Sequence, residues 1–200
     1  MRRRLISVLV IGLLVGLASL VQAASGEFAS EPDKTMAAAN EAFLKNNMNK
    51  AAEHIGKAAA YVKKEADKVA AGSKEGVKKA GDALAKLGSD VKKGAVKSGD
   101  DLKKTFAAVD HALAKAWHAT ADETKKAGKD SSAALKKAGA SLAGAAKWSG
   151  TELKEGAQAS ITAVAKVGTA TGKGVKVGAE EVDKWFKDIG AGIEDVGKKL

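Results

Sequence analysis

KKTFAAVDHAL, at residues 103–113, is the first of six tandem eleven-residue blocks, and QASITAVAKVG, at residues 158–168, is the last. Eleven residues make three helical turns of about 3.67 residues each, so the fourth, seventh and eleventh positions of every block lie on one helix face. In the first block these positions hold Phe106, Val109 and Leu113. The repeat therefore predicts long helices with one narrow apolar stripe, an architecture that disfavours a pocket enzyme.

The apolar stripe weakens in the middle of the repeat region, where Thr120, Thr124 and Ser131 occupy its positions. We expect a break or a reversal of the chain there, near residues 122–130. No segment of the sequence shows the sustained two-residue alternation of a half-buried strand. The sequence therefore predicts an all-α fold, an elongated antiparallel helical bundle of long helices rich in alanine, lysine and glycine.

Turn-forming residues divide the rest of the chain. Pro32 suits the first turn of a helix, and Asn46 with Asn47 indicates a turn between two helices. Glycine clusters indicate two further loops. The predicted segments are a disordered leader at residues 24–31, a helical hairpin with a long second helix at 32–92, a loop at 93–101, repeat helices at 102–168, a glycine-rich loop at 169–178 and an amphipathic terminal helix at 179–200.

The first residues predict export. Three arginines at positions 2–4 precede an apolar run at residues 5–20, and small residues lead up to Ala23. This is the pattern of a secretory signal peptide, and we expect cleavage after Ala23. A retained membrane anchor is the alternative, but the run is short for a span that needs roughly 20 apolar residues. We expect a periplasmic protein of which residues 1–23 are the signal peptide.

The composition limits the chemistry of the exported chain. It has no cysteine, and all of its arginines lie in the signal, which leaves 31 lysines against 24 acidic residues and a net charge of +7. Arginine is the usual residue for paired contacts to bases, so we expect no nucleic-acid partner. Most carboxylates lie three or four residues from a lysine, as on a solvated helix surface. We see no carboxylate pair in an apolar context and expect no enzyme.

His111 and His118 are the candidate metal ligands. They are seven residues apart, so they share one helix face, and His54 could join them if the helices pack accordingly. A zinc or copper site needs three or four converging ligands, and the alternative is a pair of ordinary helical histidines, which we favour. GTATGKG at residues 168–174 departs from the spacing of a nucleotide-binding loop. We therefore expect no cofactor.

The terminal helix carries the clearest amphipathic stripe of the chain. Its apolar residues are flanked by lysines, a composition that suits an interface helix. An anionic lipid surface or another envelope protein would be its partner, although packing of the stripe inside the bundle is the alternative we favour. The residues of this candidate membrane or partner surface are Lys184, Trp185, Phe186, Lys187, Ile189, Ile193, Lys198 and Lys199.

Two segments resemble known families. AAANEAFLKNNMNKAAEHIGKAAAYV, at residues 37–62, resembles one tetratricopeptide helical pair, and residues 67–168, with three copies of KKAG, are similar to eleven-residue-repeat proteins of the late embryogenesis abundant type. The second resemblance implies stress protection or contact with membrane surfaces. We expect a non-catalytic exported helical protein, stress-protective or envelope-associated, that acts through its helical surface. The alternative is a periplasmic protein- or peptide-binding module that docks its partner around Phe43 and Tyr61.

Overall fold

A computed structural model describes residues 31–170 and 178–200, and all regular structure in these ranges is helical. The all-α prediction is confirmed, and neighbouring helices pack as a bundle. In chain order the helices are α1 (Glu31–Leu44), α2 (Met48–Glu65), a short 3-10 turn (Ala71–Ser73), α3 (Lys74–Lys92), α4 (Gly99–Lys126), α5 (Ser132–Ser149), α6 (Glu155–Ala170) and α7 (Ala179–Gly197).

Helix α4 belongs to both halves of the molecule. Helices α1, α2 and α3 pack one against the next, and α1 and α3 also contact α4. From α4 onward each helix packs against its successor, and α7 returns to α4, so the last four helices close into a bundle. Helices α4 and α5 run antiparallel, because Phe106 on α4 lies beside Trp148 on α5 while Trp117 lies beside Lys137. One hydrophobic core runs through both halves.

Local capping explains where several helices begin and end. The Asn47 side chain accepts a hydrogen bond from the Lys50 amide at the start of α2, and Ser98 does the same for Asp101 at the start of α4. Such side-chain acceptors satisfy amides that have no partner in the first turn. Gly150 ends α5 with a φ of 67°, a left-handed conformation that glycine adopts without strain.

The structure corrects several predicted boundaries. The span 32–92 holds no long second helix, because α2 ends at Glu65 and the chain turns before α3 begins. The Ala70 amide donates to Thr120 Oγ1 over 2.8 Å, which ties this turn to α4. The loop predicted at 93–101 is shorter, since α4 begins at Gly99, and the repeat region has a second break at residues 150–154.

Other boundaries agree with the structure or lie beyond its reach. The break expected near residues 122–130 overlaps the gap between α4 and α5, although α4 stays helical through Lys126. The predicted signal peptide and nearly all of the leader lie outside the described residues, as does most of the predicted glycine-rich loop. Among the helices of the described ranges, none is long and apolar enough to cross a membrane.

Candidate functional site

A groove lies between α2 and α3 on their solvent side. Its volume is about 890 Å³, and it is open to solvent along its length. Small side chains form most of its floor, and polar or charged side chains form its rim. The lining residues are Asn49, Ala52, Glu53, Gly56, Ala59, Ala60, Lys63, Ala85, Gly88, Ser89 and Lys92.

Two glycines of the groove differ in their surroundings. A Cβ added to Gly88 would lie 3.4 Å from Cγ2 of Ile55, so this glycine lets α3 approach α2 closely. A Cβ added to Gly56 would meet no atom within 4 Å. The groove is therefore narrow where α2 and α3 touch and open above Gly56.

The surroundings of the groove are rich in lysine. Residues 48–92, which contain both helices, hold ten lysines against six acidic residues, a net charge of +4. At the rim, Lys63 pairs with Asp82 over 2.7 Å and Glu53 pairs with Lys57 over 2.6 Å. Exposed pairs of this kind add little stability, and each neutralises both the lysine and the carboxylate at the groove.

The docking residues proposed from the sequence do not line this groove. Phe43 is 7% exposed and belongs to the hydrophobic core, so it is unavailable to a partner. Tyr61 is half-buried, and burial raises the pKa of its hydroxyl. The signal that would have indicated the groove was the four-residue spacing of Ala52, Gly56 and Ala60 on one face of α2.

The apolar residues of the terminal stripe face the interior of the bundle. Trp185, Ile189 and Ile193 are all buried, and the partly buried ring of Phe186 stacks on His118 with centroids 4.0 Å apart. The four lysines of the predicted surface stay exposed, at positions 184, 187, 198 and 199. The apolar part of the predicted surface is covered by α4, α5 and α6, so the stripe and these lysines do not share one exposed face.

The charge of the terminal helix also disfavours anionic lipid. Residues 179–200 hold four lysines against six acidic residues, a net charge of −2. Lys184 lies 3.6 Å from Asp188, and Lys198 lies 3.7 Å from Asp195. Attraction to an anionic surface depends on an excess of basic residues, which this helix does not have.

Both histidines of α4 contact the backbone of α7. His111 Nε2 lies 2.9 Å from the carbonyl oxygen of Ile193, and His118 Nε2 lies 2.9 Å from that of Phe186. Because a carbonyl oxygen can only accept, Nε2 carries a proton in each ring and donates the bond. Each ring also fills the space beside a glycine one turn further along α7, Gly197 for His111 and Gly190 for His118. We call these two contacts the histidine–glycine clasp.

The clasp is a packing contact and leaves neither Nε2 atom for a metal. His54 lies on α2, in the other half of the molecule. The described ranges contain no group of three or more histidine, cysteine or acidic side chains arranged to hold a metal ion. Burial lowers the pKa of His111, and the bond to the Ile193 carbonyl opposes this shift. The structure therefore favours a neutral ring at His111.

A buried carboxylate cluster corrects the expectation that no carboxylate pair lies in an apolar context. Asp110 on α4 is completely buried, presses on α5 at Gly144, and neither of its carboxylate oxygens has a hydrogen-bond partner. Burial raises the pKa of Asp110 well above its usual value, and nearby Asp33 adds to the shift while Lys147 opposes it. Burial and the nearby carboxylate of Asp33 therefore both favour the protonated form of Asp110.

Asp33 is the second carboxylate of this cluster and joins α1 to α5. It accepts a hydrogen bond from Trp148 Nε1 over 2.9 Å, and Lys147 Nζ lies 3.7 Å from the same oxygen. Lys147 also lies 4.6 Å above the Trp148 ring, and Phe106 packs edge-on against that ring. The sequence did contain a signal for the cluster, because Asp110 follows Phe106 by four residues and so shares its buried face.

Glu65 forms a second buried link between the halves. It is 2% exposed and accepts hydrogen bonds from Lys68 and Lys137 over 2.8 Å and 2.9 Å. Burial opposes ionisation of Glu65, but the bonds from both lysines outweigh it and lower its pKa. Lys137 also lies 3.9 Å above the ring of Trp117. A charged carboxylate is therefore held at the junction of α2 with α4 and α5.

None of these polar groups has the geometry of an acid–base catalyst. Asp110, Asp33 and Glu65 are buried between helices, so a substrate cannot reach them. A general acid or base must come within hydrogen-bond reach of the reacting group. Comparison of the chain with known family models, curated proteins and solved structures finds no match.

Proposed function

We propose that this protein is an exported, non-catalytic helical module that keeps a fixed fold and acts by binding another envelope protein. One observation carries the proposal, the continuous hydrophobic core that joins both halves of the molecule. A partner-binding module needs such a preformed scaffold, whereas a helix that forms only under stress does not.

The core includes the aromatic residues that distinguish this chain from purely alanine- and lysine-rich repeats. Phe106, Trp117, Trp148 and Trp185 are all at most 8% exposed. Buried aromatic side chains contribute on the order of 3–5 kcal/mol each against truncation to alanine. A set of this size supports helices that persist in water, without drying or contact with a membrane.

Directional contacts between distant segments support the same interpretation. The bond from Trp148 to Asp33 and the bond from Lys137 to Glu65 each require one relative position of two helices. A loose assembly of amphipathic helices would not maintain such pairs, because ordering each side chain has an entropic cost. These contacts favour the binding module over a protein that gains structure only under stress.

The test is whether helicity depends on conditions. Far- and near-ultraviolet circular dichroism of the chain from Ala24 onward would be recorded in dilute buffer, with anionic vesicles and after drying. We expect full helicity, a near-ultraviolet signal from the packed tryptophans and one cooperative melt in buffer, all unchanged by vesicles. A large rise in helicity on drying or on vesicles would instead favour the stress-protective or lipid-associated alternative.

A further inference from the structure

We infer that the groove between α2 and α3 receives one amphipathic α-helix of the partner protein, with small or apolar residues on its packing face and acidic residues on its flanks. This inference rests on the proposed function, since it names the surface and the chemistry by which the module would bind. Three independent features of the groove lead to it.

The first feature is the shape of the groove. It is a long concavity of about 890 Å³ between two antiparallel helices. Ala52, Gly56 and Ala60 form a row along α2, and Ala85 and Ser89 form the opposite wall on α3. Rows spaced by four residues are the ridges and grooves into which another helix packs, and small side chains allow its backbone to come close. A flat lipid surface would not follow this concavity.

The second feature is Gly56. No contact within the protein requires a glycine at this position. Glycine in the interior of a helix is destabilising relative to alanine. Gly88, in the same groove, lets Ile55 pack close to the α3 backbone, but no atom lies within 4 Å of the position a Gly56 Cβ would take. A residue with no side chain in the centre of an open groove fits the close approach of a backbone from outside the chain.

The third feature is charge. Three charged residues line the groove, and two of them are already neutralised, because Glu53 pairs with Lys57 and Lys63 pairs with Asp82. Lys92, at one end of the groove, is exposed and pairs with no acidic residue of the described ranges. Complementary charge steers association and selects partners, so the flanks of the incoming helix should be acidic.

The experiment uses a synthetic helical peptide of about 20 residues, long enough to form a stable helix on the groove. Its packing face carries alanine and leucine, and its flanks carry glutamate. The control peptide has lysine at every glutamate position. Binding of both peptides to the chain from Ala24 onward would be measured by fluorescence anisotropy. We expect the acidic peptide to bind at least about tenfold more tightly, and its affinity to fall as salt is added.

Variants locate the binding surface. Gly56→Leu fills the groove without touching the core, and Gly76→Leu is the matched control, because Gly76 also has open space around it but lies outside the groove. We expect Gly56→Leu to lower the affinity for the acidic peptide by at least about tenfold and Gly76→Leu to leave that affinity unchanged. Lys92→Glu should lower it as well, with Lys104→Glu on α4 as the control. Circular dichroism confirms that each variant is folded.

The outcomes separate this inference from the proposed function. Suppose that the protein is fully helical in buffer but binds neither peptide or binds both equally, or that the Gly56→Leu variant binds the acidic peptide as tightly as the parent does. The groove inference is then overturned and the fixed-fold module stands. If helicity depends on conditions, both are overturned. If vesicles of phosphatidylglycerol bind and Gly56→Leu abolishes that binding, the groove belongs to a lipid and the partner-helix inference is overturned.

Discussion

Asp110 and His111 are consecutive residues of α4, yet their side chains lie on different sides of the helix and differ in burial and hydrogen bonding. On the side of α1 and α5, Asp110 is completely buried and makes no hydrogen bond. On the side of α7, the half-buried ring of His111 bonds a backbone carbonyl and fits against Gly197. Burying the carboxylate cluster therefore costs free energy that the packing around it must offset. The clasp instead makes a hydrogen bond and a close packing contact, which fix the position of α7.

The largest expected effect tests how much Trp148, beside the carboxylate cluster, contributes to the free energy of unfolding. Trp148→Ala removes a buried ring, its contact with Phe106 and the donor to Asp33, and should lower the free energy of unfolding by about 3–5 kcal/mol. Trp148→Phe keeps most of the ring and should lose less. Urea denaturation at neutral pH measures both. Equal losses for the two variants would show that the hydrogen bond to Asp33 is the main contribution.

The second prediction concerns the effect of Asp110 on stability as the pH rises from acid to neutral. Its folded pKa is raised above the ordinary value of 3.8, so the native state keeps a proton that the unfolded state has released. Its contribution to stability is therefore complete below that value and is lost as the pH rises toward the folded pKa. Asp110→Asn should remove this loss, so the stability of the variant relative to the parent should improve from acid to neutral pH. A constant difference between the two across that range would contradict a shifted pKa at Asp110.

The third prediction tests the clasp. An alanine Cβ at position 197 would lie 2.8 Å from His111 Nε2, so Gly197→Ala should cost about 1–2 kcal/mol although alanine favours helices. Gly76→Ala, where a Cβ has open space, should instead be neutral or stabilising. In a His111→Ala background the cost of Gly197→Ala should disappear. A cost that persisted there would place its origin elsewhere than the histidine ring.

The smallest expected effect is the acid response of the clasp. Burial lowers the pKa of His111, so its contribution to stability is complete above its ordinary pKa of 6.5 and is lost as the pH falls toward the folded value. This direction is opposite to that of Asp110. His111→Gln should flatten the dependence of the unfolding midpoint on pH between about pH 5 and 7. A midpoint that stayed equally sensitive to pH would exclude His111 as its source.

The sequence predicted those features that depend on local periodicity. The loss of apolar residues at Thr120, Thr124 and Ser131 indicated the turn between α4 and α5, and the pair of asparagines indicated the turn before α2. Periodicity could not distinguish the glycines of the repeat. Gly150 ends α5 in a left-handed conformation, while Gly139, at the same position of the preceding block, stays helical and packs against Ile161. The residues that pack around each glycine determine whether it stays helical, and the repeat gives no information about those tertiary contacts.

The candidate site was harder to predict for a related reason. A groove is defined by which residues two helices leave uncovered, and small residues such as Ala52 and Gly56 give no hydrophobic signal of their own. The buried carboxylates were missed because the neighbouring lysines suggested a solvated surface. For Asp110 the position on the helix face, four residues after Phe106, was the more reliable indicator.

The bond between Asp33 and Trp148 joins residues 115 positions apart in the chain. Helix α1 contacts α4 as well as α2, so its interface is complete only after α4 and α5 have been synthesised. Contacts that close such long loops form late, because the loop's entropy must be lost before the contact is gained. An emerging chain would therefore carry its first helix docked on α2 alone until α4 and α5 have been synthesised, so the complete core closes only after most of the chain has been made.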